Sequence, residues 1–258
     1  MSIQGGFAFY GIVIVRGSFR TTGTGGHIYP GLAVARLLRE RHGARVLFVG
    51  SDRGLEAEVI PREGFELEVL RMYGLPRRPG LRWLRVGWAA AAAVGRSLAI
   101  LRRFQPRVVL GTGGYIAGPV VVAARLLSLP VLLHEQNALP GLTNRWLARF
   151  ADHVALGSPA ALPYFAGRPC TVTGNPVRRE ILALSRAEGR RRLGLDPSRP
   201  VLLVLGASQG SRAINRALLE VYPRLFREAL QVIHQTGRQG FEEVMATVAR
   251  QMWATVDI

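Results

Sequence analysis

Short runs of apolar, mostly β-branched residues recur along the chain, separated by longer segments in which apolar positions return at helical spacing. Residues 11–15, 44–50, 107–111, 130–134, 152–157 and 201–206 read as buried strands, because their apolar stretches are short and end in glycine, proline or polar residues. Residues 32–41 and 119–127 read as amphipathic helices between them. A strand, a glycine-bearing turn and a helix, repeated in that order, predict an α/β fold with doubly wound parallel sheets. Such sheets take ligands at the carboxyl ends of their strands.

The pattern breaks once, at Gly174-Asn175-Pro176. An arginine-rich helical stretch follows over 177–193, then a turn at Asp196-Pro197 and a new strand. After it come a helical stretch over 211–230 interrupted by Pro223, a short strand over 231–234 and a further helix. Two domains are therefore expected, 1–175 and 176–258, each doubly wound. The second is expected to be incomplete, since a unit of this kind commonly runs to ~150 residues.

Composition narrows the chemistry. The single cysteine, Cys170, excludes an internal disulfide framework and a cysteine-rich metal site, and fits a reducing compartment such as the cytoplasm. All 34 basic residues are arginine, against 17 acidic ones, for a formal net charge of +17. Part of that basicity reads as coding bias, but the field still attracts phosphates, anionic lipid or nucleic acid. The longest apolar stretch, 86–100, is interrupted by Gly95, Arg96 and Ser97 and is shorter than the ~20 residues of a membrane span. Residues 1–19 lack a basic start and a small-residue cleavage site, so they read as a ragged first strand rather than a signal peptide.

Three glycine loops follow predicted strands. They are Thr22-Gly23-Thr24-Gly25-Gly26-His27, then Gly111-Thr112-Gly113-Gly114-Tyr115-Ile116-Ala117-Gly118-Pro119, then Gly206-Ala207-Ser208-Gln209-Gly210-Ser211. Glycine lets the backbone approach a phosphate, and the N–H groups that open a helix complement its charge. No metal is expected to assist: the four aspartates, Asp52, Asp152, Asp196 and Asp257, form no Asp-x-Asp pair that could hold a metal–nucleotide complex. No cofactor is expected either.

Taken with His134-Glu135-Gln136-Asn137 and Gly174-Asn175-Pro176-Val177-Arg178, these loops closely resemble the MurG family of peptidoglycan enzymes, from about residue 23 to about residue 237. That family moves N-acetylglucosamine from UDP-N-acetylglucosamine to an undecaprenyl-diphosphate-linked muramyl peptide. The resemblance implies two doubly wound domains of the GT-B glycosyltransferase type facing each other across a cleft. The first would bind the lipid acceptor and the second, mainly, the UDP-sugar. Inverting transfer to a sugar hydroxyl needs a base for its proton and dipolar or positive groups for the departing UDP. By the likeness, His27 and Glu135 are the candidates for the base, and histidine titrates in the useful range. Thr24, Gly25, Gly26 and Asn137 would touch the sugar or the diphosphates, and Arg178 and Ser208 the UDP, with the permanently charged fork of Arg178 suited to a phosphate. Gly113, Gly114, Tyr115, Gln209 and Gly210 complete the substrate-binding set.

The stretch from Tyr73 to Trp88 sets Leu81, Trp83, Leu84 and Trp88 among Arg77, Arg78, Arg82 and Arg85. Apolar edges between headgroups, with arginines on lipid phosphates, suit docking on an anionic membrane surface. The resemblance places such a peripheral enzyme at the cytoplasmic face of the plasma membrane.

Two departures bear on activity. Thr22 stands where the family has a glycine, after the intervening Arg16-Gly17-Ser18-Phe19-Arg20-Thr21. The family's later donor-site motifs do not follow residue 240, so weak or absent transfer by this chain alone is expected. Other readings predict different behaviour. A nicotinamide dehydrogenase would need Gly-x-Gly-x-x-Gly followed at ~20 residues by a ribose-binding acid, and only Asp52 lies near that spacing. An arginine-rich nucleic-acid module would need a recognition helix or an aromatic stacking platform, and the sequence offers neither. A non-catalytic remnant that binds anionic lipid or diphosphate ligands is the remaining alternative.

Overall fold

A computed structural model describes residues 11–15, 28–51, 55–70, 82–206, 210–225, 227–228 and 230–256. The chain forms two compact units, Met1–Arg178 and Arg179–Ile258.

The first unit is a parallel sheet of seven strands: β1 Gly11–Val15, β2 Arg45–Gly50, β3 Glu66–Val69, β4 Val108–Gly111, β5 Val131–Glu135, β6 His153–Leu156 and β7 Cys170–Val172. Their spatial order is β3-β2-β1-β4-β5-β6-β7. The order reverses between β1 and β4, where Val15 lies opposite Gly111, which is the switch point where a crevice opens beyond the strand ends.

The two faces of the sheet bury different helices because successive strand residues point to opposite sides. Val46 and Phe48 of β2 join Ile28, Leu32 and Ala35 of α1 (Ile28–His42) and Ile60 of α2 (Leu55–Arg62) in one cluster. Leu47 and Val49 belong to the other, with Ala93, Ile100 and Leu101 of α3 (Arg82–Phe104), Val120, Val121 and Ala124 of α4 (Ala117–Leu126) and Leu147 of α5 (Leu142–Leu147). A 3-10 turn over Pro159–Phe165 closes that side with Phe165, which is fully buried. Among the described residues, no helix is long and apolar enough to cross a membrane.

The second unit pairs β8 (Val201–Leu205) with β9 (Gln231–Gln235), parallel and in register from Val201↔Gln231 to Leu205↔Gln235. Two helices, α8 (Arg212–Leu225) and α9 (Phe241–Val256), bury Leu218, Tyr222 and Val244 against Leu202, Val204 and Val232. The alternate residues of β8, Leu203 and Leu205, are exposed.

The strands read from the sequence are all present, with ends shifted by a residue. Two edge strands, β3 and β7, were not among them. The arginine-rich stretch after the break is two helices rather than one, α6 (Arg179–Ala183) and α7 (Arg186–Arg192). Ser185 separates them, its side chain accepting from Glu188 N at 3.1 Å as an N-cap. Pro223 does not interrupt α8; it sits inside the last turn, and the helix runs on to Leu225.

Candidate functional site

At the carboxyl edge of the first sheet, three loops are tied together by side chains from the strand ends. The loop after β4 begins with buried Thr112 and turns through Gly113 and Gly114, both at positive φ, before α4 starts. Tyr115 lies half-buried against the core cluster on the α3–α4 side. From the end of β5, Gln136 Nε2 donates to Thr112 O at 2.9 Å and to His134 Nδ1 at 3.0 Å. Since Nδ1 accepts, Nε2 carries the ring proton of neutral His134 and donates to Gly174 O at 3.3 Å, in the loop after β7. One chain of hydrogen bonds therefore joins the ends of β4, β5 and β7.

Glu135, the last residue of β5, is 1% exposed, and its carboxylate points into its own loop. Oε1 accepts from the backbone N and the side-chain Nδ2 of Asn137, both at 2.9 Å. Oε2 accepts from Gly141 N at 3.1 Å and from Asn144 Nδ2 at 2.9 Å. Four donors match the four lone-pair positions of a carboxylate. This one is engaged in shaping residues 136–144 and in orienting Asn137, whose side chain is otherwise exposed.

The motif around residue 175 packs against the same edge. Asn175 Nδ2 donates to Gln136 O at 3.3 Å, and it can approach because Gly157, beyond β6, has no side chain. A Cβ there would overlap Asn175 Oδ1 and come within 2.9 Å of Gln136 O. Arg178 stands at the end of this segment with its guanidinium 5.1 Å above the ring of Tyr29, in the first turn of α1.

In the second unit the third glycine loop is held at both ends. Gly206 N donates to Gln235 Oε1 at 2.9 Å. Gly210 takes φ 79 and packs so closely on Thr236 that a Cβ would overlap the Thr236 carbonyl. Ser211, next to it, accepts from Ile214 N at 3.4 Å where α8 begins.

Of the site residues named from sequence, Gly113, Gly114, Tyr115, Glu135, Asn137 and Arg178 lie along the first unit's carboxyl edge, and Gly210 lies on the second unit's. Thr24, Gly25, Gly26, His27, Ser208 and Gln209 lie outside the described residues, as do Arg77, Arg78 and Leu81 of the membrane-facing stretch. Arg82, Trp83, Leu84 and Arg85 fall at the start of α3, and Trp88 follows with its side chain 81% exposed. The sequence reading did not name Gln136, Asn144, Gly157 or Asn175 as site residues. The signal for the first was in view, a polar Gln-Asn pair immediately after an apolar strand.

Comparisons with known proteins agree with this arrangement. Residues 18–156 match the glycosyltransferase family 28 N-terminal domain, and residues 201–257 match the glycosyltransferase family 28 C-terminal domain. A UDP-N-acetylglucosamine--N-acetylmuramyl-(pentapeptide) pyrophosphoryl-undecaprenol N-acetylglucosamine transferase from Caldanaerobacter subterraneus subsp. tengcongensis is 40% identical over 235 residues, covering 90% of this chain and 64% of the relative. The protein of the same name from Desulforudis audaxviator is 45% identical over 225 residues, covering 86% of this chain and 60% of the relative. Among solved structures, MurG of Acinetobacter baumannii superposes with a TM-score of 0.67 at 29% identity, covering 93% of this chain and 64% of that one. The chain thus spans between 60% and 65% of the length of the curated relatives it matches. With N- and C-terminal family models falling in order on its two units, the chain belongs to glycosyltransferase family 28.

Proposed function

We propose that this protein serves the transfer of N-acetylglucosamine from UDP-N-acetylglucosamine to an undecaprenyl-diphosphate-linked muramyl peptide, an inverting step of peptidoglycan synthesis. The observation that carries the reading is the loop cluster at the carboxyl ends of β4, β5 and β7, in a chain whose relatives bear that activity in their names.

In this reading the first unit takes the acceptor, and the second takes most of the UDP-sugar. His27 receives the hydroxyl proton, and Glu135, with its four donors, holds Asn137 toward the sugar or diphosphate instead of acting as the base. Thr24, Gly25, Gly26, Gly113, Gly114 and Tyr115 line the acceptor side. Arg178, Ser208, Gln209 and Gly210 meet the UDP, whose leaving charge is met by guanidinium and backbone N–H groups. The enzyme works as a peripheral protein at the cytoplasmic membrane face, where exposed Trp88, with Arg85 and Arg82 earlier in the same helix, meets anionic headgroups.

Calorimetric titration with UDP-N-acetylglucosamine tests the donor half directly. Binding is expected, and Arg178→Ala should weaken it about tenfold, the loss of roughly 1.4 kcal/mol. A folded protein that takes up no UDP, or takes ADP-sugars equally well, would sink the reading.

A further inference from the structure

Beneath the third glycine loop lies a line of polar side chains that no step above uses. Tyr222 and Asn215 of α8 are each 5% exposed, and His234 of β9 lies between them. Tyr222 Oη lies 2.9 Å from His234 Nδ1, His234 Nε2 lies 3.0 Å from Asn215 Oδ1, and Asn215 Nδ2 donates to Thr236 O at 3.0 Å.

The direction of this line is fixed by its last member. A carbonyl only accepts, so the Asn215 amide must turn its NH₂ to Thr236 and its oxygen to His234. His234 Nε2 therefore carries the proton, and in the neutral ring Nδ1 accepts from the Tyr222 hydroxyl. Burial pushes the His234 pKa down and so favours that neutral ring.

What the line holds is the junction of two loops. Thr236 O, where it ends, is the atom against which Gly210 is packed, and Gly240, at the far side of the same turn, has no room for a Cβ beside Asn215 Nδ2. Asn215 is in turn fixed to the loop's exit, its N donating to Ser211 O at 2.8 Å. The loop's entrance is held separately, by Gly206 N on Gln235 Oε1.

We propose that Asn215 is a positioning residue that, oriented by His234 and Tyr222, locks Gly210 and Ser211 onto the turn over 236–240, so that they and the turn present one surface to the diphosphate of a nucleotide sugar. This rests on the donor-site reading above. Asn215 touches no ligand itself; it acts through Thr236 and Gly210.

The amide is needed for its donor, and that gives a test which shape alone does not pass. Asn215→Asp keeps the size but, ionised at pH 8, turns an oxygen against the Thr236 carbonyl. Two readouts are made on the full chain at pH 8, against wild type: UDP affinity, and the exchange protection of the Gly240 amide, which donates to Gly237 O at 3.2 Å, beside that of the strand amides that pair β8 with β9. The expected result is a loss of about tenfold in UDP affinity and in Gly240 protection, the worth of about one hydrogen bond, with the strand amides within about threefold of wild type. Affinity and Gly240 protection unchanged, or strand and turn amides losing protection equally, would overturn the proposal. Loss of turn protection in the variant of a protein that binds no UDP would instead remove the donor-site reading, and with it the diphosphate role, while leaving the lock between the loops standing.

Discussion

The two units place glycine loops at the carboxyl ends of parallel strands, but they support them differently. In the first, the strands that bear the loops lie inside a seven-stranded sheet with a buried cluster on each face, and Val109, Leu133 and Leu156 are essentially inaccessible. In the second, β8 and β9 form a two-stranded sheet buried on one face only, with Leu203 and Leu205 exposed on the other. Both loop systems nevertheless use a histidine in one tautomer with a side-chain amide. Gln136 and His134 tie β4 to β7, and His234 and Asn215 tie α8 to the turn after β9. The contrast teaches that loop order in the first unit is backed by apolar burial, whereas in the second it depends more heavily on the polar line itself.

Breaking the comparison on the first unit's side should have the largest effect. Glu135→Ala removes a buried acceptor and strands four donors, so a loss of about 3–5 kcal/mol in chemical denaturation is expected. If the loss is below about 1 kcal/mol, residues 136–144 are not held as described. Gly157→Ala should follow, at about 1–3 kcal/mol, because backbone as well as Asn175 would have to move.

In the second unit, Gly210→Ala adds left-handed strain to the clash with the Thr236 carbonyl, at about 1–3 kcal/mol. Hydrogen exchange should locate that loss in β8, β9 and α8 and leave β4 and β5 protected. A pH series sharpens the contrast. The folded His234 pKa lies below its ordinary 6.5, so its stabilising contribution is present above that value and is lost as pH falls through and below it. The loss is expected to be small, because the ring is partly solvated, and confined to the second unit.

The smallest effect belongs to the surface. Arg125→Ala breaks an exposed pair with Asp152, whose other oxygen still accepts from Val131 N at 2.7 Å. A change within about 0.5 kcal/mol is expected.

The doubly wound pattern was legible because buried strands leave apolar runs that stop at glycine. The edge strands left no such trace. Glu66 and Glu68 of β3 alternate with apolar residues, and β7 spans three residues, two of them exposed. The chemistry-bearing motif at residues 134–137 could be read, but the direction of the Glu135 carboxylate could not. Its partners include two backbone N–H groups, which any residue type supplies. Asn215 left no signal at all, since in sequence it is one polar residue of an amphipathic helix. Its role follows only from β9 bringing His234 alongside.

The most direct test of the central claim is an amide-resolved titration of the chain with UDP-N-acetylglucosamine. The account predicts saturable shifts concentrated at Gly206, Gly210, Ser211, Thr236 and Gly237, the carboxyl edge of β8 and β9. Shifts that gather instead in the arginine-lined groove of Arg186, Arg190 and Arg199, at the opposite ends of these strands, would contradict it, as would no shift from a folded protein.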